Sequence, residues 1–119
     1  MDKLPKIDLT YLKEISNGNK DLITDLIEMF FEQIPEYQKL MNNYYRKKEW
    51  VSLGRIAHKA KSAILMIGME GLASDLKKLE ENAKEGIIIN EYKEIIAKFV
   101  RESNTAIKEL QEIKKNKNY

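Results

Sequence analysis

Apolar residues between Leu22 and Met41 recur at steps of three and four: Leu22, Ile23, Leu26, Ile27, Phe30, Ile34, Tyr37, Leu40 and Met41. That period marks one face of an α-helix and predicts a long amphipathic helix, with Asn19 as its N-terminal cap. Pro35 falls inside the pattern. It removes one hydrogen bond and bends the helix rather than ending it, because the period continues beyond it. A short helix precedes this one, capped by Asp8 or Thr10 and running to about Ser16, where "SNGN" breaks it.

Downstream, "YYRKKE" reads as a connection, and a third helix follows from about Trp50 to Ile67 with Gly68 as its stop. A fourth, from about Met69 to Lys84, carries Leu72, Leu76, Leu79 and Ala83 on one stripe and closes at Gly86. The last runs from near Asn90 to about Lys114, with Tyr92, Ile95, Ile96, Phe99, Val100, Ile107, Leu110 and Ile113 as its apolar positions. Its end, "KKNKNY", is polar and expected to fray. Short connections between long amphipathic helices favour antiparallel neighbours. The expected fold is therefore all-α: an antiparallel up-down-up-down four-helix bundle with a short additional N-terminal helix. Residues 1–119 are expected to form a single domain, with the frayed tail beginning near residue 115.

Composition agrees and removes several functions. Hydrophobic residues make up 43% and charged residues 34%, and five Gly with two Pro are too few for an all-β fold rich in tight turns. The net charge is +2, from 21 basic and 19 acidic residues mixed along the chain, so there is no concentrated basic face for nucleic acid or an anionic membrane. With no cysteine, disulfides, thiol redox chemistry and thiolate metal sites are excluded. No window is apolar for long enough to span a bilayer, "MDKLPKIDL" is not a signal peptide, and a cytoplasmic location is expected.

The chemistry concentrates in "RIAHKAKSAILMIG", residues 55–68, which holds His58, the only histidine. With His58 at the zero of a helical wheel and steps of about 100° per residue, Leu53, Ile56, Ala60, Ala63, Ile64 and Ile67 all fall on the opposite half. The core stripe is complete without the histidine, so the imidazole points to solvent. Val51, Gly54, Arg55, Lys61, Ser62 and Leu65 share its side. Gly54 and Ser62 flank the ring one turn before and after it. A glycine inside a helix costs on the order of 1 kcal/mol relative to alanine, and at Gly54 it is expected to clear space for a partner. Val51 and Leu65 add apolar docking surface, and Arg55 and Lys59 add charge. Lys61 reaches the same space as the ring, where a cation stabilises a phosphoryl group during transfer. Histidine side chains titrate near neutral pH, so a solvent-facing one suits reversible phosphorylation on a ring nitrogen.

These residues resemble the histidine-containing phosphotransfer (HPt) family. Its pattern is roughly Ala-His-x-(Leu/Ala)-Lys-(Gly/Ser), a Gly ten residues past the His, a Leu four later, and a Leu-Glu pair. Here that becomes Ala57-His58-Lys59-Ala60-Lys61-Ser62, then Gly68, Leu72 and Leu79-Glu80. Upstream, "MFFEQIPEYQKLMNNYYRKKEW" resembles the family's Phe-x-x-x-x-Pro helix and the loop that follows, so the likeness spans about residues 7 to 112. The resemblance implies that His58 accepts a phosphoryl group on Nε2 from a receiver-domain aspartate and passes it to another receiver. It places Lys61 beside the phosphoryl group and makes Ser62 the small residue that admits the receiver, with a hydroxyl able to bond the imidazole or the phosphate. The family often has Gly at that position, and Lys59 matches no required residue. The implied partners are response-regulator receiver domains and a hybrid sensor histidine kinase. The chain itself is expected to bind no cofactor, the receiver supplying Mg²⁺, and to act as a monomeric phosphocarrier. It has no phosphate-binding loop for ATP.

Other bundle functions fail on the residues present. A di-iron site needs Glu-x-x-His pairs from two helices, and Arg55 stands where the first would begin. A His–Met haem site using Met66 or Met69 needs an inward histidine. Zinc hydrolysis needs more than one histidine, and no nucleophile elbow supports a Ser-His-Asp triad. Coiled-coil assembly is disfavoured because the apolar stripes serve an internal core. A non-phosphorylated adaptor that docks a receiver is the alternative reading.

Overall fold

In the computed structural model, which describes residues 7–119, the apolar periods become five helices. They are α1 (Thr10–Ile15), α2 (Lys20–Arg46), α3 (Trp50–Met66), α4 (Glu70–Lys84) and α5 (Tyr92–Asn116), with no strand among the described residues. The reading of residues 1–6 as part of a non-signal N-terminus lies outside the described residues. The helix order α2, α3, α4, α5 closes on itself, since α3 packs on α2 and α4 while α5 packs on α4 and α2. This is the expected antiparallel four-helix bundle, with α1 laid against α2.

Each helix contributes one stripe to a shared core. Of the α2 period, Ile23, Ile27, Phe30, Ile34 and Met41 are buried, while Leu26, Tyr37 and Leu40 are half-buried and Leu22 is exposed. Opposite them lie Leu53, Ile56, Ala60 and Ile64 from α3, Leu72, Leu76 and Leu79 from α4, and Ile96, Phe99 and Leu110 from α5. Each large side chain so buried contributes ~1.5–3 kcal/mol. Pro35 is exposed and lies inside an unbroken α2, where its missing N–H is the only donor lost. Trp50 packs its ring 6.1 Å from Tyr45 and 5.6 Å from Tyr92, tying together one end of α2, α3 and α5.

The helix ends explain where the sequence reading stops short. Asn19 caps α2 as expected, its side-chain oxygen accepting from the Leu22 N–H at 3.0 Å. At α1 neither candidate is the N-cap: Leu9 holds that place with no side-chain cap bond, and the Asp8 carboxylate just before it accepts from the Thr10 N–H (2.9 Å) and hydroxyl (2.6 Å), Thr10 being already helical. The connection expected at "YYRKKE" begins later, because Tyr44, Tyr45 and Arg46 are still in α2. Tyr44 and Tyr45 are half-buried, and the turn forms at Lys48 (φ +60°), with the Glu49 N–H donating back to the Tyr44 carbonyl at 2.9 Å. Gly68 (φ +76°) closes α3 in the same manner, and a Cβ there would lie 2.6 Å from Asp8 atoms. The α3–α4 turn therefore requires glycine for its conformation and for the chain that crosses it. The tail expected to fray from about residue 115 makes contacts with the bundle. The α5 helix extends to Asn116, Lys114 pairs with Glu28 of α2 at 2.7 Å, and the Tyr119 hydroxyl bonds the Thr24 hydroxyl.

Candidate functional site

The α3 helix buries Leu53, Ile56, Ala57, Ala60, Ala63 and Ile64, which leaves His58 on the outside with 58% of its side chain exposed. Val51, Arg55, Lys59, Ser62 and Leu65 are exposed on α3 with it, Val51 at 49% and Leu65 at 45%. Lys61 is drawn inward, its side chain only 19% exposed.

Gly54 does not belong to that open face. It is buried, and a Cβ added to it would come 2.9 Å from the Lys84 nitrogen and 3.3 Å from the Glu80 carbonyl oxygen of α4. The glycine therefore serves the close approach of two helix backbones rather than the approach of a partner. A wheel drawn from one helix places the residue beside His58 but does not show that α4 already occupies the space.

That close approach brings in Glu80, a residue the sequence reading placed in the family pattern but gave no role. Its Oε2 lies 2.9 Å from His58 Nδ1 and its Oε1 lies 2.8 Å from Lys61 Nζ, so one carboxylate joins both groups. The Glu80 side chain is 17% exposed. Burial pushes its carboxyl up, but the hydrogen bonds from Lys61 and His58 and the charge of Lys61 outweigh this and hold it below the ordinary glutamate value. Glu80 is thus ionised at neutral pH and can only accept. In the neutral imidazole Nδ1 must then be the N–H that donates to Glu80, which leaves the lone pair on Nε2. Nε2 has no hydrogen-bond partner among the described residues, on a side chain that is 58% exposed. The signal for Glu80 in the sequence was faint: an acidic residue next to Leu79, on the next helix, 22 positions from the histidine.

Ser62 donates its hydroxyl to the His58 carbonyl at 3.2 Å, within its own helix, rather than to the imidazole. Beyond it a groove opens between α1, α3 and α4, lined among others by Tyr11, Lys61, Ser62, Leu65, Ser74 and Lys77. Tyr11, half exposed at 50%, places α1 beside the histidine face and was not singled out from the sequence. The described residues contain no cluster of three or more His, Cys, Asp or Glu arranged to hold a metal ion, and no helix among them is long and apolar enough to cross a membrane.

A bundle that exposes one imidazole, oriented by a carboxylate and flanked by an ammonium, defines a class of histidine phosphocarrier. The chain belongs to the Hpt domain family, whose sequence profile matches residues 25–93, more than half of its length. Members of this family take the histidine phosphotransfer step of phosphorelay signalling, working with receiver domains and kinases as phosphocarriers rather than as kinases. In fold the chain is similar to the crystal structure of histidine-containing phosphotransfer protein B (HptB) from Pseudomonas aeruginosa PAO1. The TM-score is 0.83 over 96% of this chain and 98% of that one, at 20% sequence identity. No curated protein matches the sequence.

Proposed function

We propose that His58 is the phosphoryl acceptor and donor of this chain, through Nε2, in a relay between receiver-domain aspartates. The observation that carries this reading is the 2.9 Å bond between Nδ1 and the Glu80 carboxylate, which commits the Nδ1 proton and leaves Nε2 as an exposed nucleophile. In the first transfer Nε2 attacks the phosphorus of an aspartyl phosphate. The P–N bond forms as the P–O bond to the aspartate breaks, and the aspartate leaves as a carboxylate. In the second transfer a receiver carboxylate attacks phosphorus and the ring leaves.

Lys61 stabilises the negative charge that spreads over the phosphoryl oxygens; its ammonium reaches the ring's neighbourhood already held by Glu80. The small side chain of Ser62 keeps the approach to Nε2 open. Val51, Leu65, Arg55 and Lys59 form the rim on which a receiver docks, and the groove beside Tyr11 extends it. Gly54 acts from beneath, by letting α4 present Glu80. The receiver supplies Mg²⁺ and its own acidic pocket, and the chain neither binds a cofactor nor uses ATP. It acts in the cytoplasm as a monomer, since a receiver must cover the face that holds the histidine.

The test is phosphoryl transfer from a panel of phosphorylated receiver domains to the wild-type chain and to His58→Gln. A base-stable, acid-labile label on the wild type that is absent from the variant supports the reading. Tight receiver binding with no transfer to either protein replaces it with the docking adaptor.

A further inference from the structure

The pairing of His58 with Glu80 bears on how the phosphoryl group leaves as well as on how it arrives. This inference rests on the proposed role of His58 as the acceptor. Attack by Nε2 turns the ring into an N-phosphoryl imidazolium that still holds a proton on Nδ1. If that proton is lost, the leaving group in the next transfer is an imidazolide anion, a poor one. If it is kept, the ring departs as a neutral imidazole with its proton in place, and no proton moves in either transfer. We infer that Glu80 is a positioning residue that retains the Nδ1 proton through the phosphorylated state, so that phosphoryl-His58 stays ready to discharge.

The geometry favours this because the Glu80 carboxylate, held also by the Lys61 ammonium at 2.8 Å, meets Nδ1 at 2.9 Å. A carboxylate can only accept, so it stabilises the protonated ring and offers nothing to a bare Nδ1. An uncharged amide in its place can turn and donate to that lone pair, which favours the form that discharges slowly. Other charges surround the ring at longer range and are of both signs. Lys61 occupies the second oxygen of Glu80, and Arg55 and Lys59 on α3, with Lys77 and Lys84 one turn to either side of Glu80 on α4, are cationic, whereas Asp8, Glu14 and Glu70 line the groove beside Lys61 and Ser62. The α2 helix, on the far side of α3, sends no ion pair to the ring among the described residues, so Glu80 is the one carboxylate in contact with it. The proton's retention therefore depends on a single side chain.

The experiment uses the full chain and phosphoramidate as a small donor. Nε2 attacks its phosphorus, ammonia leaves, and a P–N bond to the ring forms. Loss of the label from purified phosphorylated protein is followed from pH 5 to pH 9 for the wild type and for Glu80→Gln, with His58→Gln as the control. The nitrogen chemical shifts of the ring are recorded over the same range. An opposite charge at this distance moves a titration by about one unit or more. Glu80→Gln should therefore lose its Nδ1 proton about one pH unit lower and discharge about tenfold more slowly above pH 8, with the two profiles converging at pH 5. Profiles and nitrogen shifts that superimpose across the range overturn the inference. A label that persists on His58→Gln overturns the assignment of the acceptor, and this inference with it, whereas a merely structural role for Glu80 would lower stability without moving the pH profile.

Discussion

Two of the seams that polar side chains cross in this bundle are finished differently. Between α2 and α5, Gln38 donates to the Ser103 hydroxyl at 2.8 Å and to the Asn104 side-chain oxygen at 2.9 Å, and buried Ser103 donates in turn to the Phe99 carbonyl. That network is closed: no buried side-chain polar atom among the described residues lacks a partner. It fixes the register of two long helices. Between α3 and α4, Glu80 likewise accepts from two donors, but the exposed imidazole it holds keeps one ring nitrogen without a partner among the described residues. A closed network stabilises, and one with a single open atom at its exposed end can react.

Breaking the open seam at the proposed acceptor, His58, should have the largest effect. His58→Gln is expected to lose all phosphoryl acceptance while thermal unfolding shifts by no more than about 0.5 kcal/mol, as befits an exposed residue; a large loss of helicity on circular dichroism would contradict the placement. Lys61→Ala removes charge stabilisation without removing the nucleophile, so single-turnover transfer should slow by about tenfold or more. An unchanged rate would leave Lys61 only its bond to Glu80.

The seam's geometry can be probed without touching its polar groups. Gly54→Ala places a methyl against the α4 backbone and should cost ~1–3 kcal/mol in chemical denaturation, with slower transfer as α4 is pushed away from the histidine. Equal stability would mean that α4 yields freely there. For the closed seam, Ser103→Ala should cost about 1 kcal/mol and leave transfer at the wild-type rate. A change in transfer would show that the two seams are coupled.

The smallest effect concerns acid. Glu80 is held below the ordinary glutamate value, so the folded state binds its proton less readily than the unfolded chain does. Its contribution is then present in full above about pH 4.3, the ordinary value, and is lost as pH falls through the lowered folded one. Stability curves of the wild type and Glu80→Gln should therefore draw together below about pH 4; a constant gap at all pH values would remove the charge from the account.

Much of this molecule follows from the order of its residues alone. Side chains at three- and four-residue steps must share a helix face, so Ile23, Ile27, Phe30 and Ile34 define a stripe before any partner helix is known. The same rule turns His58 outward, because the core face of α3 is complete without it. Helix ends are less legible: "YYRKKE" reads as a loop, yet half-buried Tyr44 and Tyr45 keep α2 going to Arg46. The polar tail reads as loose, although Tyr119 reaches Thr24, 95 residues away.

What the periodicity could not supply is contact between helices. Gly54 looks like a gap on an open face until α4 is seen to fill it, and Glu80 is one of many surface acids until that approach brings it to His58. A helical period records direction around one axis and carries no distance to the next. The sequence by itself determined which face of α3 carries the histidine. Tertiary packing decided which of its ring nitrogens is engaged, because a carboxylate from another helix takes Nδ1.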